Sequence, residues 1–342
     1  MRSPSGFTGS SDAIAPAHTA WPAETGALLS AGIDWPADRS RPRWQLQDAH
    51  GARADVVLEQ GARCSFAVEA GRWCLGHTVV RDANTWEHLD CPDAARADRG
   101  TQCGRCLARD DARHMHDFHR SGIAPPGLRA YLARPQWLYV ATFANGASKV
   151  GTAGQGNKWR RLAQQGAVVA TYVALAADGR IVRVLEDLVT DRLGLGQAVR
   201  ASAKAAGLTD PGQGGPSPSG VYDAGSLARV HRVQVERVHA LLAGDPAAAA
   251  LDAEPADEAF EPPAAAEALL AAWDTGALHA YPGWLSASTH GFTVEAVLGQ
   301  VLGVRLAGSD RLYAADASVL KGRRVVPGEH ATAVPVAQDA LF

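Results

Sequence analysis

Apolar and polar positions change their spacing several times along this chain, and each change marks an element. Residues 41 to 72 hold short β runs, RWQLQDA, ADVVLEQ and CSFAVEA, separated by glycine-containing turns. Two further runs, WLYVATF and SKVGT, flank Asn145-Gly146, a pair suited to the tight turn of a hairpin. A short helix is expected from Asn157 or Gly156 through Lys158-Trp159-Arg160-Arg161-Leu162, with Gly166 ending it. AVVATYVAL then reads as a buried strand by its β-branched content. Asp178 is placed to cap the following helix, which carries Ile181, Val184, Leu185 and Leu188 on one face. Glu186 lies beside that face, within reach of a cleft.

The second half is less regular. LTDPGQGGPSPSG (208–220) reads as a flexible connection, and a helix rich in Val, Arg and His follows from about Ser226 to Leu242. GDPAAAALDAEPADEAFEPPAAA reads as an acidic Ala/Pro linker or a poorly ordered insert, ahead of a short helix from about Ala264 to Trp273. The end of the chain is β-rich, with turns at Gly299, Gly303 and Gly308, and suggests a small barrel or sheet. The fold class is therefore α+β. The expected parts are a disordered leader (1–30), an N-terminal β region (31–72), a metal-binding segment (73–120), a central α/β module (133–207), linkers and helices (208–275), and a C-terminal β domain (276–342).

Composition changes this picture little. A chain of 342 residues, 46% hydrophobic and 20% charged, is ordinary for a globular protein of two or three small domains. The start of the chain lacks a charged stretch followed by an apolar core, and no apolar run approaches the roughly 20 residues of a membrane helix. A cytoplasmic location is the default expectation. Charge is more informative. The formal net charge is only -3, yet residues 118 to 177 hold no Asp or Glu, while Arg120, Arg129, Arg134, Lys149, Lys158, Arg160 and Arg161 all fall there. Such a stretch attracts phosphate, unless acidic neighbours in the fold balance it. No Ser-His-Asp triad, P-loop or dinucleotide fingerprint is present, and Gly194-x-Gly196 is too short a match for the last.

All five cysteines lie between Cys64 and Cys106. Clustered cysteines outside an oxidising compartment more often bind metal than pair as disulfides. Cys103 and Cys106, in QCGRC, form a half-site of two thiolates on a tight turn eased by Gly104. Tetrahedral zinc needs two more ligands, and Cys74 (in WCLGH) and Cys91 (before Pro92) are the best candidates, with His77 and His88 as alternatives. Four thiolates leave no open position for water, so the site is expected to be structural. Cys64 sits in a strand-like run and reads as a buried apolar thiol. His114, His116 and His119 follow the half-site in a stretch that suggests a polar helix.

The WCLGH…CP…QCGRC knuckle, the LYVATF…KVGTA hairpin, the RRLAQQGA segment and the VLGQVLGVRL run together resemble the family called domain of unknown function 2797, over about residues 40 to 207 and 280 to 325. The central module is in turn similar to GIY-YIG nucleases, in its order of hairpin, Arg-bearing helix, strand and Glu-bearing helix. That resemblance implies roles for particular residues. Tyr139 matches the first tyrosine of the motif and orients or deprotonates water, Arg160 or Arg161 steadies phosphate, and Glu186 holds Mg²⁺ or Mn²⁺. Lys149 stands where the second tyrosine belongs, ahead of Gly151. Lysine pairs with phosphate but is a poor general base unless buried. Lys149 thus puts cleavage in doubt and leaves binding intact; the leading expectation is a Mg²⁺- or Mn²⁺-dependent nuclease of this type, with a non-catalytic nucleic-acid-binding module as the alternative. Lys158, Arg160 and Gly151 would line the same phosphate site. Glu186 could instead pair with Arg180 or Arg183 on its own helix. The implied partner is DNA or RNA, with a small anionic substrate in the same cleft as a further reading. The nine tryptophans, Trp73, Trp86, Trp137 and Trp159 among them, stack on bases or fill cores.

Overall fold

A computed structural model describes residues 22, 26–209 and 222–334. The leader expected over 1–30 and the connection at 208–220 lie mostly outside them. The chain begins with β1 (Leu28–Asp34), β2 (Arg43–Gln47), the two-residue β3 (Val56–Val57) and β4 (Arg63–Val68). A separate hairpin, β5 (His77–Val80) and β6 (Trp86–Leu89), leads to α1 (Gly104–Arg109), the one-turn α2 (Phe118–Ser121) and α3 (Pro126–Leu132). The expected polar helix around the three histidines is instead a 3-10 turn, Asp111–His116, ahead of α2.

The central module is built as the hydrophobic pattern requires. Strands β7 (Gln136–Thr142) and β8 (Ser148–Gly154) form a hairpin, turned at Gly146 with φ 75°. Helix α4 (Lys158–Gln165) ends on left-handed Gly166, and β9 (Val169–Ala176) follows. Helix α5 (Gly179–Leu193) is capped by Asp178, whose carboxylate accepts from the amides of Arg180 and Ile181 at 2.8 Å. Then come α6 (Ala201–Thr209), α7 (Ala224–Gly244), the one-turn α8 (Pro246–Ala249), β10 (Ala253–Ala259) and α9 (Glu267–Asp274). The chain closes with β11 (Leu278–Ala280), β12 (Thr289–Leu298), β13 (Val301–Arg305), β14 (Leu312–Asp316) and β15 (Arg324–Pro327).

Two of these elements overturn the expected organisation. The segment read as an acidic linker contains β10, which pairs antiparallel with β9. Its Glu, Asp and Pro residues are poor strand formers, but they suit an edge, where proline loses no ladder bond and charge discourages further pairing. β10 is that edge, in a four-stranded sheet of order β10-β9-β7-β8. The N-terminal β region and the C-terminal β domain are likewise not separate units. Their strands share one nine-stranded sheet of order β11-β14-β13-β12-β4-β15-β1-β2-β3. β4, with Cys64 and Phe66 buried, needs partners on both sides and takes them from the other end of the chain, Cys64 lying opposite Phe292 and Val68 opposite Val325.

The two large sheets share one core. Trp44, Phe66, Val294 and Leu302 of the long sheet, with Trp35 just after β1, cluster with Tyr139, Phe143, Trp159, Leu162 and Tyr172 of the central module. Two of the sequence segments singled out above meet at this junction. A Cβ on Gly299, in the β12–β13 turn, would lie 2.6 Å from the amide nitrogen of Gly166 at the end of α4, so the backbones touch where only glycine fits. Among the described residues, no helix is long and apolar enough to cross a membrane.

Candidate metal centre and cationic cleft

The loop after β4, the end of β6 and the start of α1 bring Cys74, Cys91, Cys103 and Cys106 together. Their sulfur atoms all lie within 4.8 Å of one another, and Cys91 and Cys103 are 3.9 Å apart. A Zn–S bond of about 2.3 Å gives a tetrahedral edge of about 3.8 Å, so the donor set fits a metal ion such as zinc. Cys74, Cys103 and Cys106 are buried and Cys91 is half-buried. Burial pushes the Cys106 thiol up, whereas the amide of Cys106 holds Cys103 down. Four adjacent thiolates repel each other unless a cation neutralises them. Backbone contacts fix the turn. Gly104 donates its amide to Asp98 at 2.8 Å, Gly76 donates to the Cys74 sulfur at 3.3 Å, and a Cβ on Gly76 would strike the Leu89 carbonyl. His77 and His88 are not part of the cluster. Cys64 is buried elsewhere in the large core, as expected, with its thiol pushed up by burial.

The residues matched to the nuclease motif gather around β7, β8, α4 and α5, though not as free groups. Tyr139 is fully buried, and its hydroxyl accepts from the Gln165 amide at 2.7 Å. Its ring lies against Gly151, where an added Cβ would come within 2.5 Å of it. Lys149 is buried, with Nζ 5.5 Å above the Tyr139 ring and donating to the Gln197 carbonyl at 3.2 Å. Glu186 is only 3% exposed and ion-paired with Arg183 one turn away. Burial pushes its carboxyl up, against the pull of Arg183. Lys158 lies over Trp137 and Tyr172, with Nζ 4.2 and 4.7 Å from the ring centres, and pairs with Glu258 of β10 at 2.5 Å. It does not line the cleft described next.

That cleft, of about 590 Å³, is lined by residues of the cysteine-bearing arm and of the central module. Its lining includes Trp86, Glu87 and His88 of β6, Tyr131 of α3, Arg160 and Arg161 of α4, and Arg183 of α5. Arg160 pairs with Asp34 at 2.5 Å, but its buried Nε has no hydrogen-bond partner. Arg161 is exposed, and no carboxylate pairs with it among the described residues. Glu87 is held by Arg81 at 2.6 Å. Nearby groups register the positive field. Burial, then Lys149 and Arg161, push the Lys204 ammonium down to about 7; burial, then Arg183, Arg161 and Lys149, push His116 down. Acidic neighbours thus answer part of the basic stretch, Asp187 pairing with Arg120, Glu258 with Lys158 and Asp34 with Arg160, but they do not reach Arg161.

Sequence reasoning missed Tyr131, Gln165 and Gln197 altogether, and weighed Arg183 only as a partner of Glu186. None of them stands in a recognisable spacing. The arrangement offers guanidinium groups that bind phosphate or carboxylate through paired N–H donors. Among the described residues it offers no free carboxylate pair for a hard metal. Among the described residues, the four cysteines are the group of three or more His, Cys, Asp or Glu side chains placed to share a metal ion. Comparison with known protein families, curated proteins and solved structures finds no match to this chain.

Proposed function

We propose that this protein binds nucleic acid, holding phosphate in the cleft of Arg160, Arg161 and Arg183, with a zinc-stabilised arm lining the same cleft. The observation that carries the reading is Arg161, an exposed cation without a carboxylate partner among the described residues, in a concave site where Glu87 pairs with Arg81, Asp34 with Arg160 and Glu186 with Arg183. The strand, hairpin and helix order of the central module, and its likeness to GIY-YIG domains, supports phosphodiester as the ligand. Cleavage fits the geometry less well than binding. Metal-dependent hydrolysis at Glu186 would require Arg183 to release a carboxylate it neutralises in a buried site, and Lys149 supplies no hydroxyl to activate water.

Labelled DNA and RNA, titrated at several salt concentrations with Mg²⁺ or Mn²⁺ present, test this. Binding should weaken steeply with salt, and Arg161→Ala should lose about ten- to a hundredfold, the worth of one charged hydrogen-bonding contact. The substrate should remain intact, with the parent and Glu186→Gln indistinguishable. Cleavage that Glu186→Gln abolishes would establish the nuclease reading instead. Salt-insensitive binding, or affinity unchanged by Arg161→Ala, would refute phosphate capture at this cleft.

A further inference from the structure

We propose that the cleft takes one unpaired nucleotide, its base stacked on the Trp86 indole and its phosphate on Arg161, so that the protein selects single-stranded over duplex nucleic acid. This rests on the phosphate-binding reading above. Trp86 is 37% exposed, unlike Trp35 and Trp44, which fill the core. Scattered exposed aromatics are ordinary, but this one lines the same concave site as the arginines. Its ring packs against Tyr131 in a T-shaped contact, with centroids 5.0 Å apart and planes at 82°. An aromatic ring packed on one side and open on another is a stacking platform, and it accepts any base because every base has a π-face.

Only an unpaired base can use such a platform, because in a duplex both faces are covered by neighbouring bases. The 590 Å³ of the cleft is the size of a small-ligand site, which admits a nucleotide and not a double helix. The amides of Asn157 and Gln136, which also line it, are donors and acceptors suited to a base edge. The cysteine-bearing arm positions the platform, since Trp86 and Cys91 are carried by the same short segment.

The test compares a short labelled single strand with the duplex of the same sequence, for the parent, Trp86→Ala, Trp86→Phe and Arg161→Ala. The parent should prefer the single strand. Trp86→Ala should lose about tenfold for the single strand and little for the duplex, and Trp86→Phe should keep most of the affinity. Arg161→Ala should weaken both substrates. Melting temperature and bound zinc identify a variant that has lost its fold, in which case Trp86→Phe, with its smaller ring, still reports on stacking. Equal or tighter duplex binding by the parent, or a single-strand preference unchanged in Trp86→Ala, would overturn the inference while an Arg161→Ala defect upheld phosphate capture. An absence of any nucleic-acid binding by the parent would overturn both.

Discussion

Removing Arg183 isolates the question of what Glu186 does. The carboxylate is 3% exposed and its partner 8%, so both are largely withdrawn from water in the folded chain. Deleting one member of a buried ion pair leaves the other charged and unpaired, at a cost of about 3–5 kcal/mol. The two members are not equivalent here. Arg183 lines the cleft, and after Glu186→Gln it can turn to water, so that variant should lose only about 1 kcal/mol. Glu186 does not line the cleft, so Arg183→Ala should lose about 3 kcal/mol or more. The sign of the pH dependence follows from the carboxyl's position above the usual 4.5. A carboxyl raised in the folded state contributes stability below the unfolded value and loses it as pH rises through the folded one. Without Arg183 that value rises further, so the defect should be small near about pH 5 and full near about pH 8. Urea unfolding of the parent, Arg183→Ala, Glu186→Gln and the double variant at both pH values measures it. The double variant should recover most of the loss, because no charge remains to be paired. A loss under about 1 kcal/mol for Arg183→Ala at the higher pH, or one independent of pH, would refute the view of Glu186 as a captive structural charge, leaving it available to a metal.

Three further outcomes follow from the same structure. The protein should contain about one zinc per chain, and chelation or Cys106→Ser should make residues 74–106 sensitive to protease while the central sheet persists, as read by metal analysis and limited proteolysis. Burial lowers His231 to about 4 from 6.5, with its ring nitrogens bonded to Thr142 and Thr171. The unfolded chain binds that proton below 6.5 and the folded chain does not until about 4, so up to roughly 3 kcal/mol should be lost across that window, and a His231→Gln variant should show a flatter pH profile in thermal melts. Gly151→Ala should cost about 1–3 kcal/mol in urea unfolding, because its methyl group would strike the Tyr139 ring; a change below about 0.5 kcal/mol would mean the ring can move aside.

Much of the central module was legible because its signals are local. Asn145-Gly146 closes the hairpin, Gly166 stops α4, and Asp178 caps α5, each through backbone geometry that its immediate neighbours decide. The four-cysteine cluster was legible for a different reason: CxxC fixes two ligands on one turn, and few other cysteines remain to complete a tetrahedron. β10 was not legible, because Glu254, Pro255 and Glu258 are strand residues only where β9 offers them an edge. Nor was the shared nine-stranded sheet, since β4 finds β12 and β15 more than 200 residues away.

The sequence by itself determined where the candidate side chains fall: the clustered cysteines, the acid-free basic stretch, and the order of Tyr139, Lys149, Arg160, Arg161 and Glu186 along the chain. Only the tertiary structure decided which of them are free to act. Charge pairing depends on distance in space, so Asp34 and Glu258, far away along the chain, engage Arg160 and Lys158, while Arg183 engages Glu186. Arg161 is left open to the cleft because the fold brings no carboxylate to it among the described residues, and it shares that cleft with residues of the cysteine-bearing arm.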